Sequence, residues 1–241
     1  MQSNIEFEKF SESSPQPVIV GGGKVREFDG QQFSGKYLVV VVIRAAWDSD
    51  STEDLLSYSN LAKEFQNLGC NILAISRDGP AILLDFLQEN PDIALPIISD
   101  LNLSKMDIGI IQRLGITLTD GYPVPTAVAM DKNGVIRYIS SQSAAGTSAP
   151  ELLRVIRALH AVDDGKGSKL CPADWDPSKP LIVNDKEGID GFYRQMFKEE
   201  KVSNEPSEED PSPATTSHQT KSSWFDWIKP RQKEKDPPSN S

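Results

Sequence analysis

The polar run DSDSTED at residues 48–54 holds the side chains of this sequence that are best suited to chemistry, and it follows the apolar run 38–43. Asp48 and Asp50 stand two positions apart in it. Carboxylates at the junction of a strand and a helix can act as nucleophiles or transfer protons. The segment is therefore a candidate for an active site.

The same polar run can instead be a helix N-terminus without chemistry. Ser49 or Asp50 can accept hydrogen bonds from N–H groups of the first turn. Glu53 and Asp54 then lie where negative charge complements the helix dipole, an effect of about 0.3–1 kcal/mol for each group. Both interpretations require a strand that ends before residue 48 and a helix that begins in the polar run.

Apolar periodicity predicts these two elements and a fold around them. The run 38–43 is rich in β-branched residues, which indicates a buried strand. Leu55, Leu61 and Phe65 recur at helical spacing before Gly69, a residue typical of a helix end. The predicted strands are 38–43, 71–76, 96–99, 126–130 and 135–139, and the predicted helices are 53–68, 80–89, 104–114 and 150–162. This order predicts an α/β, thioredoxin-like fold with a central mixed sheet flanked by helices.

A proline stands directly before the predicted strand 126–130. Proline cannot donate a hydrogen bond to a sheet and is unusual at the entry of a central strand. Thioredoxin-like folds hold a cis-proline at this place, so we expect a cis peptide bond between Val124 and Pro125. The alternative is an ordinary trans proline in the turn GYPVP.

Composition and charge argue against several classes of protein. The net charge of −10 disfavours nucleic acid as a partner, because phosphate binding needs a basic surface. No apolar stretch approaches the roughly 20 residues that span a bilayer, and the first residues lack the apolar segment of a signal peptide. Two cysteines do not make a disulfide framework. We therefore expect a cytoplasmic protein that needs no cofactor or metal.

Several segments of the sequence resemble typical two-cysteine peroxiredoxins. The stretch STEDLLSYSNLAKEFQNLGCNILAIS resembles that family's active-site helix and the strand after it. LCPADWDP at 170–177 resembles the segment with the resolving cysteine and is the most specific match. Weaker matches to later strands, a hairpin and a helix are LPIISD, MDKNGVIR and SAPELLRVIRALH. The resemblance covers about residues 20–197 and implies a peroxiredoxin-type fold.

The resemblance also assigns the family's site positions, and most of them differ in kind. Ser51 stands at the position of the peroxidatic cysteine, and Asp48 stands where the family has a threonine. The family's two site arginines correspond to Pro125 and Thr147. Asp54 keeps the acidic character of its position. The remaining redox position, that of the resolving cysteine, is occupied by a cysteine, Cys171.

These differences bear on activity, because peroxide reduction needs a thiolate that becomes a sulfenic acid. We therefore expect a peroxiredoxin-like protein that has lost thiol peroxidase activity and has a binding, regulatory or hetero-oligomerising role. The first alternative is residual thiol-redox or thioredoxin-dependent peroxidase activity through Cys171 or Cys70. A remote alternative follows from DSDST, which resembles the Asp-x-Asp-x-Thr signature of haloacid-dehalogenase-type phosphatases. That resemblance implies Asp48 as nucleophile, Asp50 as acid/base and Ser76 as the second motif.

The sequence predicts four parts and two kinds of partner. The parts are an N-terminal extension (1–19), a thioredoxin-like peroxiredoxin domain (20–165), a C-terminal peroxiredoxin segment (166–197) and a disordered tail (198–241). In the tail, Trp224, Phe225 and Trp227 stand among basic residues, which predicts a motif that docks on a protein or an anionic membrane. The alternative is packing of these rings on the chain's own domain. The resemblance further implies a homodimer or a hetero-oligomer with an active peroxiredoxin.

Overall fold

A computed structural model describes residues 17–20, 24–101, 109–141 and 146–203 of the chain. The chain divides into two units, Met1–Met196 and Phe197–Ser241. The strands are β1 (Pro17–Val20), β2 (Lys24–Glu27), β3 (Tyr37–Val42), β4 (Cys70–Ser76), β5 (Ile97–Ser99), β6 (Leu118–Thr119), β7 (Tyr122–Pro123), β8 (Thr126–Met130), β9 (Ile136–Ser141), β10 (Lys169–Leu170) and β11 (Ile182–Val183). The helices are α1 (Ser49–Asn67), α2 (Pro80–Glu89), α3 (Ile110–Arg113), α4 (Ala149–Asp164) and α5 (Lys186–Ser203).

A seven-stranded mixed sheet forms the centre of the first unit, with the strand order β2-β1-β5-β4-β3-β8-β9. Strands β3, β4 and β5 are parallel, as expected for strands joined by the helices α1 and α2. Strands β1, β2, β8 and β9 run antiparallel to their neighbours. The predicted α/β, thioredoxin-like fold with a central mixed sheet and flanking helices is confirmed.

Strand β3 is buried on both faces, which explains its continuous apolar sequence. Val39 and Val41 pack into one hydrophobic cluster together with residues of α1 and α4. Val40 and Val42 point to the opposite face and pack into a second cluster with β8 and α3 residues. All four side chains are fully buried. Because successive residues of a strand alternate between faces, a two-sided core needs an apolar residue at every position.

The beginning of β3 is tied to the end of α4 by Tyr37. Its hydroxyl donates to Asp163 Oδ2 at 2.6 Å, across 126 residues of sequence. Its ring lies 4.3 Å from the His160 ring, measured between centroids, and the Lys132 Nζ atom is 5.2 Å from the Tyr37 centroid. A ring with a polar tip can fill a core and still satisfy its hydroxyl in this way.

The observed elements differ from the predicted ones mainly at their ends. Helix α1 begins at Ser49, four residues before the predicted start at 53, because the polar run itself forms its first turn. Of the predicted helix 104–114, residues 102–108 lie outside the described residues, and α3 covers Ile110–Arg113. The hairpin strand predicted at 135–139 is β9 and extends to Ser141.

Strands at the N-terminus and a helix at the C-terminus are additions to the predicted fold. Strand β1 begins at Pro17, three residues before the predicted domain start at 20, and pairs with β5. Helix α5 continues to Ser203, past the predicted start of the tail at 198. Two glycines inside α5 lower its helix propensity, so its pattern did not predict a helix. No helix in the described ranges has both the length and the apolarity needed to span a bilayer.

The peptide bond before Pro125 is trans, so the prediction of a cis bond is wrong. None of the peptide bonds in the described ranges is cis. Strand β8 begins one residue later, at Thr126, which pairs with Val42 of β3. The missing N–H of Pro125 therefore falls outside the ladder, and a trans proline is accommodated without loss of a sheet hydrogen bond.

Helix α2 offers a direct test of how the core is packed. Leu83 is fully buried, whereas its neighbour Ile82 is 46% exposed. We expect Leu83→Ala to lower the free energy of unfolding by about 2–5 kcal/mol, through lost burial and the cavity left behind. Ile82→Ala is the control and should change it by no more than about 0.5 kcal/mol. Urea unfolding followed by circular dichroism measures both, and equal effects would contradict the packing of α2.

Candidate functional site

Asp48 is the N-cap of α1 and organises its first turn. Its Oδ2 atom accepts hydrogen bonds from the Ser51 backbone N–H at 3.1 Å and from the Ser51 hydroxyl at 2.8 Å. Its backbone carbonyl accepts from the Thr52 hydroxyl at 2.9 Å. The polar run is thus a capped helix start, although the predicted caps Ser49 and Asp50 lie exposed. A side-chain cap of this kind is worth about 0.5–2 kcal/mol.

Ser51, predicted to occupy the nucleophile position of the site, is only 3% exposed. Its hydroxyl donates to the Asp48 carboxylate, so its proton is already held in the helix cap. An alkoxide at Ser51 would stand directly beside a negative carboxylate, which disfavours its formation. The contact with Asp48 therefore holds the Ser51 hydroxyl as a hydrogen-bond donor.

Asp54, one turn further along α1, joins this helix to the N-terminal end of α4. The Thr147 backbone N–H donates to both carboxylate oxygens, at 3.1 Å and 2.9 Å, and the Thr147 hydroxyl donates to Oδ2 at 2.9 Å. Gly146 makes room for this contact, because a Cβ atom there would lie 2.8 Å from Asp54 Oδ1. Its φ of +63° is also one that glycine adopts without strain. Two predicted site positions are thus directly bonded.

Burial dominates the electrostatics around Asp54. It raises the pKa of the Asp54 carboxyl above its ordinary value, although the hydrogen bonds from Thr147 oppose the rise. The neighbouring carboxylates Glu53 and Asp50 add to it. Tyr58 is fully buried nearby, and its hydroxyl has no hydrogen-bond partner within the described ranges. Burial raises the Tyr58 pKa as well, and the nearby Thr147 hydroxyl lowers it in part.

The two positions predicted to correspond to arginines carry no charge. Pro125 lies half-buried directly before β8, and Thr147 is bonded to Asp54. Next to Pro125, the buried Thr126 hydroxyl donates to the Val124 carbonyl at 2.8 Å and lies 3.0 Å from the Ser141 hydroxyl oxygen. This end of β8 is therefore lined by neutral groups.

The two cysteines are free thiols in different surroundings. Cys70 begins β4 and is 2% exposed, and burial raises the pKa of its thiol to about 12. Cys171, after β10, is half-buried, and burial raises its pKa too, while the Arg154 guanidinium opposes this rise. Arg154 is itself bound to Glu151 at 2.7 Å. Only Cys171 is therefore open to a partner thiol.

The geometry gives the phosphatase alternative no support. Five residues, 43–47, separate the end of β3 from Asp48, and the Asp48 carboxylate is engaged with Ser51. Ser76 donates to Asp78 Oδ2 at 2.7 Å. An open pocket of about 430 Å³ beside Asp54 is lined by two more acids, Asp50 and Glu53. Even so, no group of three or more His, Cys, Asp or Glu side chains in the described part of the chain is arranged to hold a metal ion.

Asp78 is a structural residue of this region that the sequence patterns did not indicate. Its Oδ2 atom accepts from the Ala46 N–H at 2.6 Å, which holds segment 43–47 against the end of β4. In that segment Trp47 has a positive φ of 65°, unusual for a bulky residue, and is 54% exposed. Its ring stands edge-on to Phe86 with centroids 5.3 Å apart. The sequence signal that could have indicated Asp78 was the position of an acidic residue two residues after a predicted strand.

The fold is that of a known family, and the sequence matches its model. The model of the AhpC/TSA family matches residues 15–139, more than half of the chain, so the chain belongs to this family. "Peroxiredoxin-4" of Dictyostelium discoideum is 24% identical over 219 residues, which cover 82% of this chain and 82% of the relative. The mitochondrial "Thioredoxin-dependent peroxide reductase" of Rattus norvegicus is 27% identical over 174 residues, covering 68% and 65%.

A solved structure agrees with this assignment at the level of the fold. The reduced 2-Cys peroxiredoxin of Plasmodium vivax superposes with a TM-score of 0.66 at 20% identity, over 76% of this chain and 97% of that one. The predicted membership of the peroxiredoxin superfamily and the predicted peroxiredoxin type of the thioredoxin-like fold are therefore confirmed.

The raised pKa of Asp54 predicts a stability effect with a defined sign. Folding favours the protonated carboxyl, so its contribution is fully present below the unfolded pKa of about 3.9 and is lost as pH rises through the higher folded pKa. The side chain introduced by Asp54→Asn cannot ionise, so the stability of this variant should not fall by this route as pH rises. We therefore expect the wild-type protein to lose stability relative to Asp54→Asn as pH rises through that window.

Urea unfolding at several pH values between acid and neutral measures this difference. Asp85→Asn, at an exposed carboxylate on α2, is the control and should keep a constant difference from the wild type. If the difference in free energy of unfolding between Asp54→Asn and the wild type does not change with pH, the pKa of Asp54 is not raised by folding.

Proposed function

We propose that this chain is a member of the peroxiredoxin family that lacks thiol peroxidase activity and acts by binding other molecules. The observation that carries the proposal is Ser51. It occupies the predicted nucleophile position, is buried, and donates its proton to Asp48 as part of a helix cap.

The chemistry of oxygen and sulfur supports this proposal. A peroxidase thiolate attacks the O–O bond of the peroxide and becomes a sulfenic acid, which a second thiol then reduces. A serine hydroxyl has no corresponding oxidation state, so it cannot take this role. The Asp48 carboxylate accepts a structural hydrogen bond from the Ser51 hydroxyl, within a run of further acids that disfavour an anion at this position.

The neutral residues at Pro125 and Thr147 support it as well. In the family, arginines at these positions stabilise the thiolate and the departing oxygen, and such preorganised groups contribute about 10²–10³ in rate. Here the backbone N–H and the hydroxyl of Thr147 donate hydrogen bonds to the Asp54 carboxylate instead. A cysteine placed at Ser51 would lack the two arginines that lower the pKa of the thiol in the family.

We expect the purified protein to consume no hydrogen peroxide above a protein-free blank, with either thioredoxin or dithiothreitol as reductant. We expect Ser51→Cys to remain about 10²-fold or more below an active two-cysteine peroxiredoxin assayed alongside, because the charged groups are still missing. Loss of peroxide followed by absorbance measures both.

A specific observation keeps a second candidate, residual thiol-redox activity through Cys171. This thiol is half-buried beside Arg154, a cation that opposes the rise of its pKa. The same assay separates the candidates. Turnover that disappears in Cys171→Ser but persists in Cys70→Ser would overturn the proposal of a silent enzyme and assign the activity to Cys171.

A binding role requires surfaces, and two features supply them. Strand β9 lies at the edge of the sheet, with Ile139 54% exposed, and a free edge can pair with another chain. We propose assembly as a homodimer or with an active peroxiredoxin in the cytoplasm.

The second feature is the motif with Trp224, Phe225 and Trp227, which lies outside the described residues. We propose that it docks on a protein or an anionic membrane surface, since aromatic residues bury a large area at low entropic cost.

Replacement of Trp224, Phe225 and Trp227 by alanine should abolish recovery of partners in affinity purification, or binding to anionic vesicles, with no change in the melting temperature. The matched control is alanine at Ser222, Ser223 and Ser239, which should leave recovery unchanged. A drop of several degrees in the aromatic variant would show that these rings pack on the domain (about 1 kcal/mol shifts a domain of this size by about 2–4 °C). Light scattering of both variants tests whether assembly is independent of the motif.

A further inference from the structure

Two arginines follow neighbouring strands at the same edge of the sheet. Strands β3 and β4 pair in parallel up to Val42 and Ile75, and the Ile43 N–H donates to the Ile75 carbonyl at 3.0 Å. Arg44 follows β3 by two residues and Arg77 follows β4 by one, each in a bend after its strand. Both side chains line the same pocket, so two like charges face one opening. This edge is the carboxyl end of the parallel strands, where open α/β sheets bind ligands.

Neither of these arginines has a carboxylate partner. Other arginines of the described fold form ion pairs: Arg137 with Asp131, Arg154 with Glu151 and Arg157 with Glu64. Arg44 is exposed and forms no hydrogen bond or ion pair in the part of the chain that the structure describes. Arg77 donates only to a neutral group, the Gly121 carbonyl, at 2.6 Å.

Absence of a partner is notable in a chain with 35 acidic and 25 basic residues. Two guanidinium groups that share an opening favour an anion between them. The two acids that line the same pocket, Asp78 and Asp120, form no ion pair with them among the described residues, so an anion from solution can bind there.

Both arginines line one open pocket of about 350 Å³, together with Tyr122 and Gly121 from the turn between β6 and β7. This is within the range of small-molecule sites, about 300–1,000 Å³. Two acids also line it. Asp78 is already engaged with the Ala46 N–H and the Ser76 hydroxyl, and Asp120 lies exposed in the turn. Tyr122, 50% exposed, offers an aromatic face at the rim.

We propose that this pocket binds the phosphate group of a small molecule through Arg44 and Arg77. One guanidinium can satisfy both oxygens of a carboxylate, whereas the three terminal oxygens of a phosphate can accept from two guanidinium groups at once. The site lies on the ends of two central strands, so its cations are placed by the register of the sheet. It does not depend on Ser51 or on the silence of the peroxidase site.

Isothermal titration calorimetry of the full chain with pyrophosphate, at low ionic strength, tests this site. We expect saturable binding by the wild-type protein. Arg44→Gln should weaken it by about tenfold or more, since a hydrogen bond to a charged group is typically worth at least this factor. Arg77→Gln should weaken it similarly, and a thermal melt of each variant verifies that it is folded.

Arg157→Gln is the matched control, because it removes the same charge at an exposed ion pair elsewhere, and it should bind pyrophosphate within about twofold of the wild type. Absence of binding by the wild type, or equal binding by Arg44→Gln, would overturn the proposal. Succinate, a dicarboxylate, should bind at least about tenfold more weakly than pyrophosphate. Equal binding of succinate would overturn the assignment to phosphate. If Arg77→Gln does not fold, Arg44→Gln alone decides.

Discussion

The register of β3 against β4 and β8 positions the start of α1, Pro125 and the two arginines at the edge of the sheet. Six consecutive residues of β3 pair with β4, and five of them pair with β8 on the other side. This strand has no freedom to slip, because a shift by one residue would exchange its two buried faces. Arg44, Asp48 and the start of α1 are carried by its carboxyl end. The neighbour β4 carries Arg77 and Asp78, and β8 begins directly after Pro125.

Two carboxylates hold the first turns of α1 through hydrogen bonds. The Asp48 carboxylate accepts hydrogen bonds from the backbone N–H and the hydroxyl of Ser51. The Asp54 carboxylate accepts hydrogen bonds from the same two groups of Thr147. Each carboxylate therefore stabilises a helix start or joins two helices. Such contacts favour a single rigid arrangement, whereas peroxidase chemistry needs a nucleophile free to react and cations nearby. Under the proposal of a silent peroxidase site, this part of the backbone frame serves stability rather than chemistry.

The strands and helices of the core could be predicted because their apolar patterns are strong. The continuous run of β3 and the helical spacing of Leu55 and Phe65 leave few alternatives. Short elements with weak patterns could not be predicted: β2 has four exposed residues, and α5 contains two glycines. The site positions were predicted from the family resemblance, whereas the hydrogen-bond partners of these residues were not. That Asp54 binds Thr147 depends on a contact across 93 residues that no local pattern contains. That Asp48 rather than Ser49 caps α1 is a local choice among several residues that are all good caps, so composition alone could not decide it.

The contact between Tyr37 and Asp163 has a consequence for how this chain folds during its synthesis. Strand β3 is synthesised early, but the acceptor of its Tyr37 hydroxyl lies at the end of α4, 126 residues later. Its antiparallel neighbour β8 comes between the two in the sequence. Until β8 has been synthesised, the second edge of β3 has no hydrogen-bonding partner, because its antiparallel neighbour does not yet exist. Such long-range pairing makes folding slow and leaves an apolar edge open to other chains meanwhile. The last strand of the sheet is thus made before α4, and the Tyr37 hydroxyl gains its acceptor only when the last turn of α4 has been synthesised.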